Sequence, residues 1–135
     1  MSLPVLTSTH AAQLLDVDDL PTEAVAVPEW KTTVIMRGLN AGDQLAYTDS
    51  IVDYAADGTV AKVHADGVFR LIAMSMVDEA GALVFEDVET GAAILRKKSS
   101  KAITRLATVA ARLSAIDGAE AEALKNASGP ATDDA

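Results

Sequence analysis

The clearest hydrophobic pattern in the chain predicts a long amphipathic helix from Ser100 to Ile116. On a helical wheel, at about 100° per residue, one continuous arc of this segment is apolar. The arc consists of Ile103, Leu106, Ala107, Val109, Ala110, Leu113 and Ile116. The opposite side carries Lys101, Arg105 and Arg112, which together are called the basic stripe. The pattern therefore predicts one face for a core and one charged face.

A second helix is predicted from Asn40 to Asp57, followed by Gly58. Asn40 is a favourable N-cap residue, and a glycine is common just after a helix end. Leu45 and Ile51 are expected on the buried face of this helix. Three carboxylates, spaced four residues apart, form an acidic row on another face. This acidic row consists of Asp49, Asp53 and Asp57.

Two more helical segments lie between these helices. Residues 66–81 are apolar on almost every side, and a helix of that kind belongs at the centre of a domain. The segment from Asp87 to Lys98 begins with acidic residues and ends with basic ones, which is the order that the helix macrodipole favours. Ser99 or Ser100 is then the expected N-cap of the last helix.

Strand signals are concentrated near the N-terminus. Residues 25–36 combine β-branched and apolar positions around "PEWK", which predicts a β-hairpin with its turn at that tetrapeptide. Trp30, the single tryptophan, is expected to cover one edge of the core. Residues 83–87, "LVFED", are expected to be extended after a turn at Gly81.

These elements predict a small α+β domain that is mainly α-helical, with four to five helices and an N-terminal β-hairpin. We expect a loosely ordered segment at residues 1–22, a single folded domain at 23–117, and an acidic, mostly disordered tail at 118–135. Within the first segment, "TSTHAAQLL" has the composition of a short helix capped by Thr7 or Ser8.

The composition narrows the classes of function. The chain has no cysteine, a net charge of -9 and only 4% aromatic residues. These values argue against thiolate metal sites, nucleic acid as the main partner, and aromatic platforms for stacking bases. The sequence contains neither a long apolar span nor a signal-like N-terminus, so we expect no membrane association and a soluble, cytoplasmic protein.

The charge is unevenly distributed. Residues 96–112 contain six basic residues and no acidic one, whereas residues 1–95 contain fifteen acidic residues and four basic ones. The basic stripe has three interpretations: a solvated face, a docking surface for an acidic helix, or an internal partner for the acidic row. Exposed ion pairs contribute only about 0 to 1 kcal/mol, so the pattern alone does not decide among them.

The sequence contains few candidate catalytic or metal-binding residues. His10 and His64 lie in unrelated segments, and the chain lacks the glycine-rich motifs that hold nucleotide phosphates. The "DVDD" run at 16–19 lacks the glycine and the distal glutamate of a calcium loop. We therefore expect no enzymatic activity, no cofactor and no bound metal.

The order of the elements resembles that of a known family. A "VPEW" turn between two short strands is followed by "IMRGLNAGDQLAY", by a hydrophobic segment ending in "MVDEAGALVFED", and by "KKSSKAITRLATVAARLSAID" with "EAEALKN". This series, from Val25 to Gly129, is similar to the tail assembly chaperones of long-tailed, siphovirus-like bacteriophages.

The resemblance implies a partner and a location. Members of the family coat the helical tape measure protein, and a longer frameshifted product recruits tail tube subunits. By this resemblance we expect this chain to bind tape measure protein in the cytoplasm of the infected host, to self-associate, and to be absent from the mature virion. Such a role needs apolar surface and a soluble exterior rather than acid and base groups.

Candidate contact residues follow from the amphipathic pattern. They are Leu95, Ile103, Leu106, Val109 and Leu113, together with the basic stripe of Lys101, Arg105 and Arg112. The same apolar side chains are also candidates for the core of the domain. Two other functions remain open: a structural virion protein, such as a head-tail connector or tail terminator subunit, and a small bacterial regulatory domain that binds an acidic protein.

Overall fold

An N-terminal β-hairpin begins the folded part of the computed structural model, which describes residues 3–115. Strand β1 (Thr22–Val27) pairs antiparallel with β2 (Thr32–Arg37) along its whole length. The turn is a short 3₁₀ helix (Pro28–Trp30), and Lys31 closes it in the left-handed region at φ 54°. The hairpin and the turn predicted at "PEWK" are confirmed.

Four α-helices and three further short strands follow the hairpin in the described range. They are α1 (Ala41–Ile51), β3 (Val52–Tyr54), β4 (Val60–Val63), α2 (Gly67–Ser75), β5 (Met76–Val77), α3 (Val88–Leu95) and α4 (Ser100–Leu113). A 3₁₀ helix, Ser8–Asp16, precedes the hairpin. The predicted fold class, a small α+β domain with an N-terminal hairpin, is confirmed.

The predicted helix starts are correct at three positions. The side chains of Asn40, Asp87 and Ser99 each accept a hydrogen bond from a backbone N–H in the first turn of α1, α3 and α4, respectively. A capping acceptor satisfies a donor that has no partner inside the helix, and its contribution is typically about 1 kcal/mol. These starts were predictable because a cap is a local signal.

The predicted helix from Asn40 to Asp57 is wrong in its second half. Helix α1 ends at Ile51, and the chain continues as a second hairpin, β3 and β4, whose turn contains Gly58 at φ 86°. The acidic row is therefore not a helix face, because only Asp49 of its members lies in α1. Leu45, expected to be buried, is 71% exposed.

The apolar segment 66–81 also changes structure before its predicted end. Helix α2 stops at Ser75, and Met76 and Val77 form β5, which pairs with Met36 and Ile35 of β2. The sheet therefore has three strands in the order β1-β2-β5. Pairing with β2 satisfies the backbone hydrogen-bonding groups of Met76 and Val77. The hydrophobic pattern of residues 66–81 does not predict this pairing, because the partner strand lies elsewhere in the sequence.

The core lies between one face of this sheet and the helices. Alternate residues of the hairpin point inward, and Leu71 and Ile72 of α2 and Leu106 of α4 are fully buried. The inward residues of the hairpin are Val25, Val27, Val34 and Met36. Helix α2 contacts α1, α3, α4 and β2, as its uniformly apolar surface predicts.

The N-terminal segment lies apart from this core. Residues 3–19 are all exposed, although Leu3, Val5, Leu6, Leu14, Leu15 and Val17 are large and apolar. The hairpin sheet is anchored at Pro21, whose carbonyl accepts a hydrogen bond from the Gly38 N–H at 2.9 Å. Ile116 and the predicted tail at 118–135 lie outside the residues that the structure describes.

Gly38 is expected to be intolerant of any side chain. A Cβ atom at this position would stand 2.3 Å from the carbonyl oxygen of Leu113, at the end of α4. Because that atom belongs to the backbone, Gly38→Ala should lower the free energy of unfolding by about 1–3 kcal/mol. Urea denaturation followed by the fluorescence of Trp30 measures this change.

Gly42→Ala is the matched control, since a Cβ there meets only the Asn40 side chain at 3.6 Å. Gly42 lies in α1, where alanine is favoured over glycine by up to about 1 kcal/mol. The control should be neutral or slightly stabilising. Equal stability of the two variants would contradict the close packing of β2 against the end of α4.

Candidate protein-binding groove

The apolar contact residues predicted on α4 belong to the core of the domain. Ile103, Leu106 and Val109 are at most 8% exposed, and Leu113 is partly buried. Leu95, at the end of α3, is 1% exposed. The folded domain therefore does not present these side chains broadly to a partner, and their role in partner binding stays a prediction.

Two of the three residues of the basic stripe, Arg105 and Arg112, are paired with the hairpin. Both guanidinium nitrogens of Arg105 donate to the carboxylate of Glu29, at 2.8 and 3.1 Å, and Arg112 donates to Glu23 at 2.7 Å. Internal pairing was one of the three interpretations of the stripe. Its partners are the hairpin carboxylates rather than the acidic row, and they hold the polar side of α4 against β1 and its turn.

The pair between Glu29 and Arg105 has an electrostatic consequence. The bidentate hydrogen bond from Arg105 lowers the pKa of Glu29 from its usual 4.5 to about 2, with further contributions from its own backbone N–H and from the charge of Lys101. Glu29 is therefore ionised throughout the neutral and mildly acidic range.

A groove of about 700 Å³ runs along the open edge of β2. Its apolar wall combines Trp30 of the turn, Ile35 of β2, Val84 and Phe85 of the loop before α3, and Ile94 of α3. Val84 and Ile94 are 49% and 42% exposed. The groove also includes Leu95, so one of the predicted contact residues does contribute to it.

The edge of β2 is open because β5 is short. Strand β5 pairs with only Ile35 and Met36, and no other described strand lies beside Thr32, Thr33 and Val34 on that side. The chain leaves the sheet after Val77 in a tight turn, with Gly81 at φ 87° and its N–H bonded to the Asp78 carbonyl. An exposed strand edge of this kind can pair with another chain.

The polar rim of the groove is small. Its charged residues are Asp78, Glu79 and Lys98. The Asp78 carboxylate accepts hydrogen bonds from the backbone N–H groups of Ala80 and Ala82, so it stabilises its own turn. A mostly apolar groove with a sparse polar rim is suited to binding apolar side chains of another polypeptide.

The histidines and the remaining ion pairs lie away from this groove. His64 contacts Asp53 at 3.0 Å across the second hairpin, and His10 bonds to Thr7 at 2.9 Å. Elsewhere Arg70 pairs with Glu89 and joins α2 to α3. Among residues 3–115, no group of three or more His, Asp and Glu side chains is arranged to hold a metal ion.

The groove could not be predicted from periodicity. Its wall comes from the hairpin turn, the edge of β2, the loop before α3 and the end of α3, which are separate segments of the chain. Only one sequence signal points to it. "LVF" at 83–85 is an apolar run between Gly81 and Asp87, and it is too short to form a core element by itself.

The chain was compared with protein families, curated proteins and solved structures. No family, no curated protein and no solved structure matches the chain. Within the described range, no helix is both long enough and apolar enough to cross a membrane.

The ion pair between Glu29 and Arg105 should make stability depend on pH in the acidic range. The folded-state pKa of Glu29 lies below its unfolded value, so the stabilisation is complete above about pH 4.5 and is lost as the pH falls toward 2. Glu29→Gln should therefore lower the Tm above pH 5, and this difference from wild type should vanish near pH 2.

Glu86→Gln is the control for this measurement, because Glu86 is exposed and has no ion pair in the described part of the chain. It should change the Tm little at any pH. Thermal unfolding by circular dichroism between pH 2 and 7 compares the three proteins. A gap between wild type and Glu29→Gln that stays constant down to pH 2 would contradict the proposed coupling.

Proposed function

We propose that this protein is a tail assembly chaperone of a long-tailed bacteriophage, which binds tape measure protein without catalysing a reaction. The observation that carries the proposal is the apolar groove beside the open edge of β2, formed by Trp30, Ile35, Val84, Phe85 and Ile94. The order of the elements along the sequence gives the second support. A chaperone of this kind needs an accessible apolar site on a soluble domain.

The groove fits the chemistry of such a partner. Tape measure proteins of this class are long and helical, and an amphipathic helix offers one apolar face that can lie in a groove. The exposed parts of Val84 and Ile94 supply apolar area at its mouth. The net charge of -9 opposes aggregation of the chaperone while this apolar area is uncovered.

The proposal extends to the place and the assembly of the complex. The protein acts in multiple copies in the cytoplasm of the infected bacterium, and it leaves before the virion is complete. A longer frameshifted form of the chain would recruit tail tube subunits. The regulatory-domain alternative has less support, because Arg105 and Arg112 of the basic stripe are already paired within the domain.

Ile94→Glu should weaken binding of the partner. Ile94 is 42% exposed on the wall of the groove, so a charged side chain there should not disturb the core. A well-placed apolar contact at an interface is worth more than about 1 kcal/mol, and we therefore expect an approximately tenfold lower yield of tape measure protein co-purified after co-expression.

The matched control is Leu45→Glu, since Leu45 is 71% exposed on α1 and is not part of the groove. It should leave the yield unchanged. Equal yields from wild type and Ile94→Glu would reject the groove as the binding site. Failure of wild-type protein to solubilise or retain the tape measure protein would reject the function itself.

The remaining alternative function, a structural virion protein, predicts a different final location, because such a protein stays in the finished particle. The chaperone should be abundant in lysates of infected cells and missing from purified particles, as measured by mass spectrometry. Stoichiometric amounts in finished particles would favour a connector or a tail terminator instead.

A further inference from the structure

The N-terminal arm, defined as residues 3–20, contains half of the exposed large apolar residues of the described chain. Six large apolar residues in it are between 53% and 88% exposed. They are Leu3, Val5, Leu6, Leu14, Leu15 and Val17. No residue of the 3₁₀ helix Ser8–Asp16 is buried. Such a cluster on one short segment is unusual for a surface that contacts only water.

The conformation of the arm also lacks internal support. A 3₁₀ helix has three residues per turn, and runs longer than three or four residues are uncommon because the hydrogen bonds are poorly aligned. This one has nine residues. Its three-residue period places Ala11 and Leu14 on one side, followed by Val17 just beyond the end. A second polypeptide packed against this apolar row would bury its side chains and stabilise the 3₁₀ helix.

The groove on the same chain has the complementary character. Its wall is apolar, its mouth is open, and the edge of β2 beside it has no strand at Thr32, Thr33 and Val34 in the described structure. Lys98 is the one basic residue of its lining and has no ion pair among residues 3–115, and Asp78 and Glu79 also line it. The arm contains Asp16, Asp18 and Asp19 and no lysine or arginine.

The arm and the groove lie at different ends of the sheet. The arm joins the sheet at Pro21, whose carbonyl oxygen accepts a hydrogen bond from Gly38, close to the end of α4. The groove reaches Trp30 and Lys98, at the hairpin turn and just before the start of α4. A contact between the arm of one molecule and the groove of another therefore joins two different surfaces, which is a head-to-tail arrangement.

We propose that the N-terminal arm of one copy docks in the groove of a second copy, with Leu14, Leu15 and Val17 against the apolar wall and the acidic end of the arm beside Lys98. The contact is heterologous, so it can be repeated from copy to copy. Any other polypeptide that binds the groove competes with the arm. This inference rests on the geometry of the chain and does not require the proposed function.

Cysteine cross-linking tests this contact directly, because the chain contains no cysteine of its own. Leu15→Cys, carrying a tag that changes its mass, is mixed with untagged Ile94→Cys and oxidised gently. We expect a disulfide-linked dimer of the two different chains, seen as a band of intermediate mass on a non-reducing gel. Both positions are exposed, so neither substitution should affect folding.

Leu45→Cys replaces Ile94→Cys in the control, since Leu45 is exposed on α1 outside the groove. It should cross-link to Leu15→Cys at least about tenfold less. Equal cross-linking to both positions would overturn the proposal. So would a bond that forms only within single molecules of the double variant Leu15→Cys/Ile94→Cys, because the arm would then occupy its own groove.

Sedimentation provides an independent measurement on the full chain. Wild-type protein should show an average mass that rises with concentration, and Leu14→Ser/Leu15→Ser should remain monomeric with an unchanged Tm. A wild-type protein that is monomeric at every concentration would overturn the proposal. That result would leave the proposed binding of tape measure protein unaffected, because this binding is tested by the co-purification of tape measure protein with wild type and Ile94→Glu.

Discussion

The packing of α4 against the hairpin is the constraint on which the rest of the structure depends. Ala102, Leu106 and Ala110 bury one face of the helix, and burial of a leucine side chain alone stabilises a fold by about 2 kcal/mol. The pairs from Arg105 to Glu29 and from Arg112 to Glu23 then fix how the helix lies on β1. The core face of the sheet is thereby covered, and the edge of β2 stays open beside Thr32, Thr33 and Val34, where β5 does not reach.

Local signals were sufficient for part of the fold. The caps at Asn40 and Ser99, the helix start at Asp87 and the hairpin turn are decided by a few neighbouring residues, and these predictions are confirmed. The errors occur where a distant strand competes with a helix. Val52 begins a strand directly after α1 and pairs with β4. Met76 begins a strand directly after α2 and pairs with β2. Pairing partners eleven or forty residues away are not visible in the periodicity of one segment.

The same distinction explains why the candidate site was only partly predictable. An apolar arc such as that of α4 shows that a helix face will be covered, but it does not say whether the cover is the same chain or another one. In the structure, the domain's own hairpin and helix α2 cover this face of α4. The groove instead gathers Trp30, Ile35, Phe85 and Ile94 from four segments, and none of these has a pattern that sets it apart before the chain is folded.

The fold also explains how an acidic chain can concentrate its basic residues in one segment. Arg96 lies 3.9 Å from Asp66 and over the ring of Phe69, and Arg105 and Arg112 bind the hairpin, so half of the six cations in residues 96–112 serve internal contacts. The remaining three are lysines. With the arginines neutralised inside the domain, the rest of the surface is dominated by carboxylates, which keep separate molecules apart. The groove combines apolar area with one of these lysines, Lys98, and the proposed association between copies uses this surface.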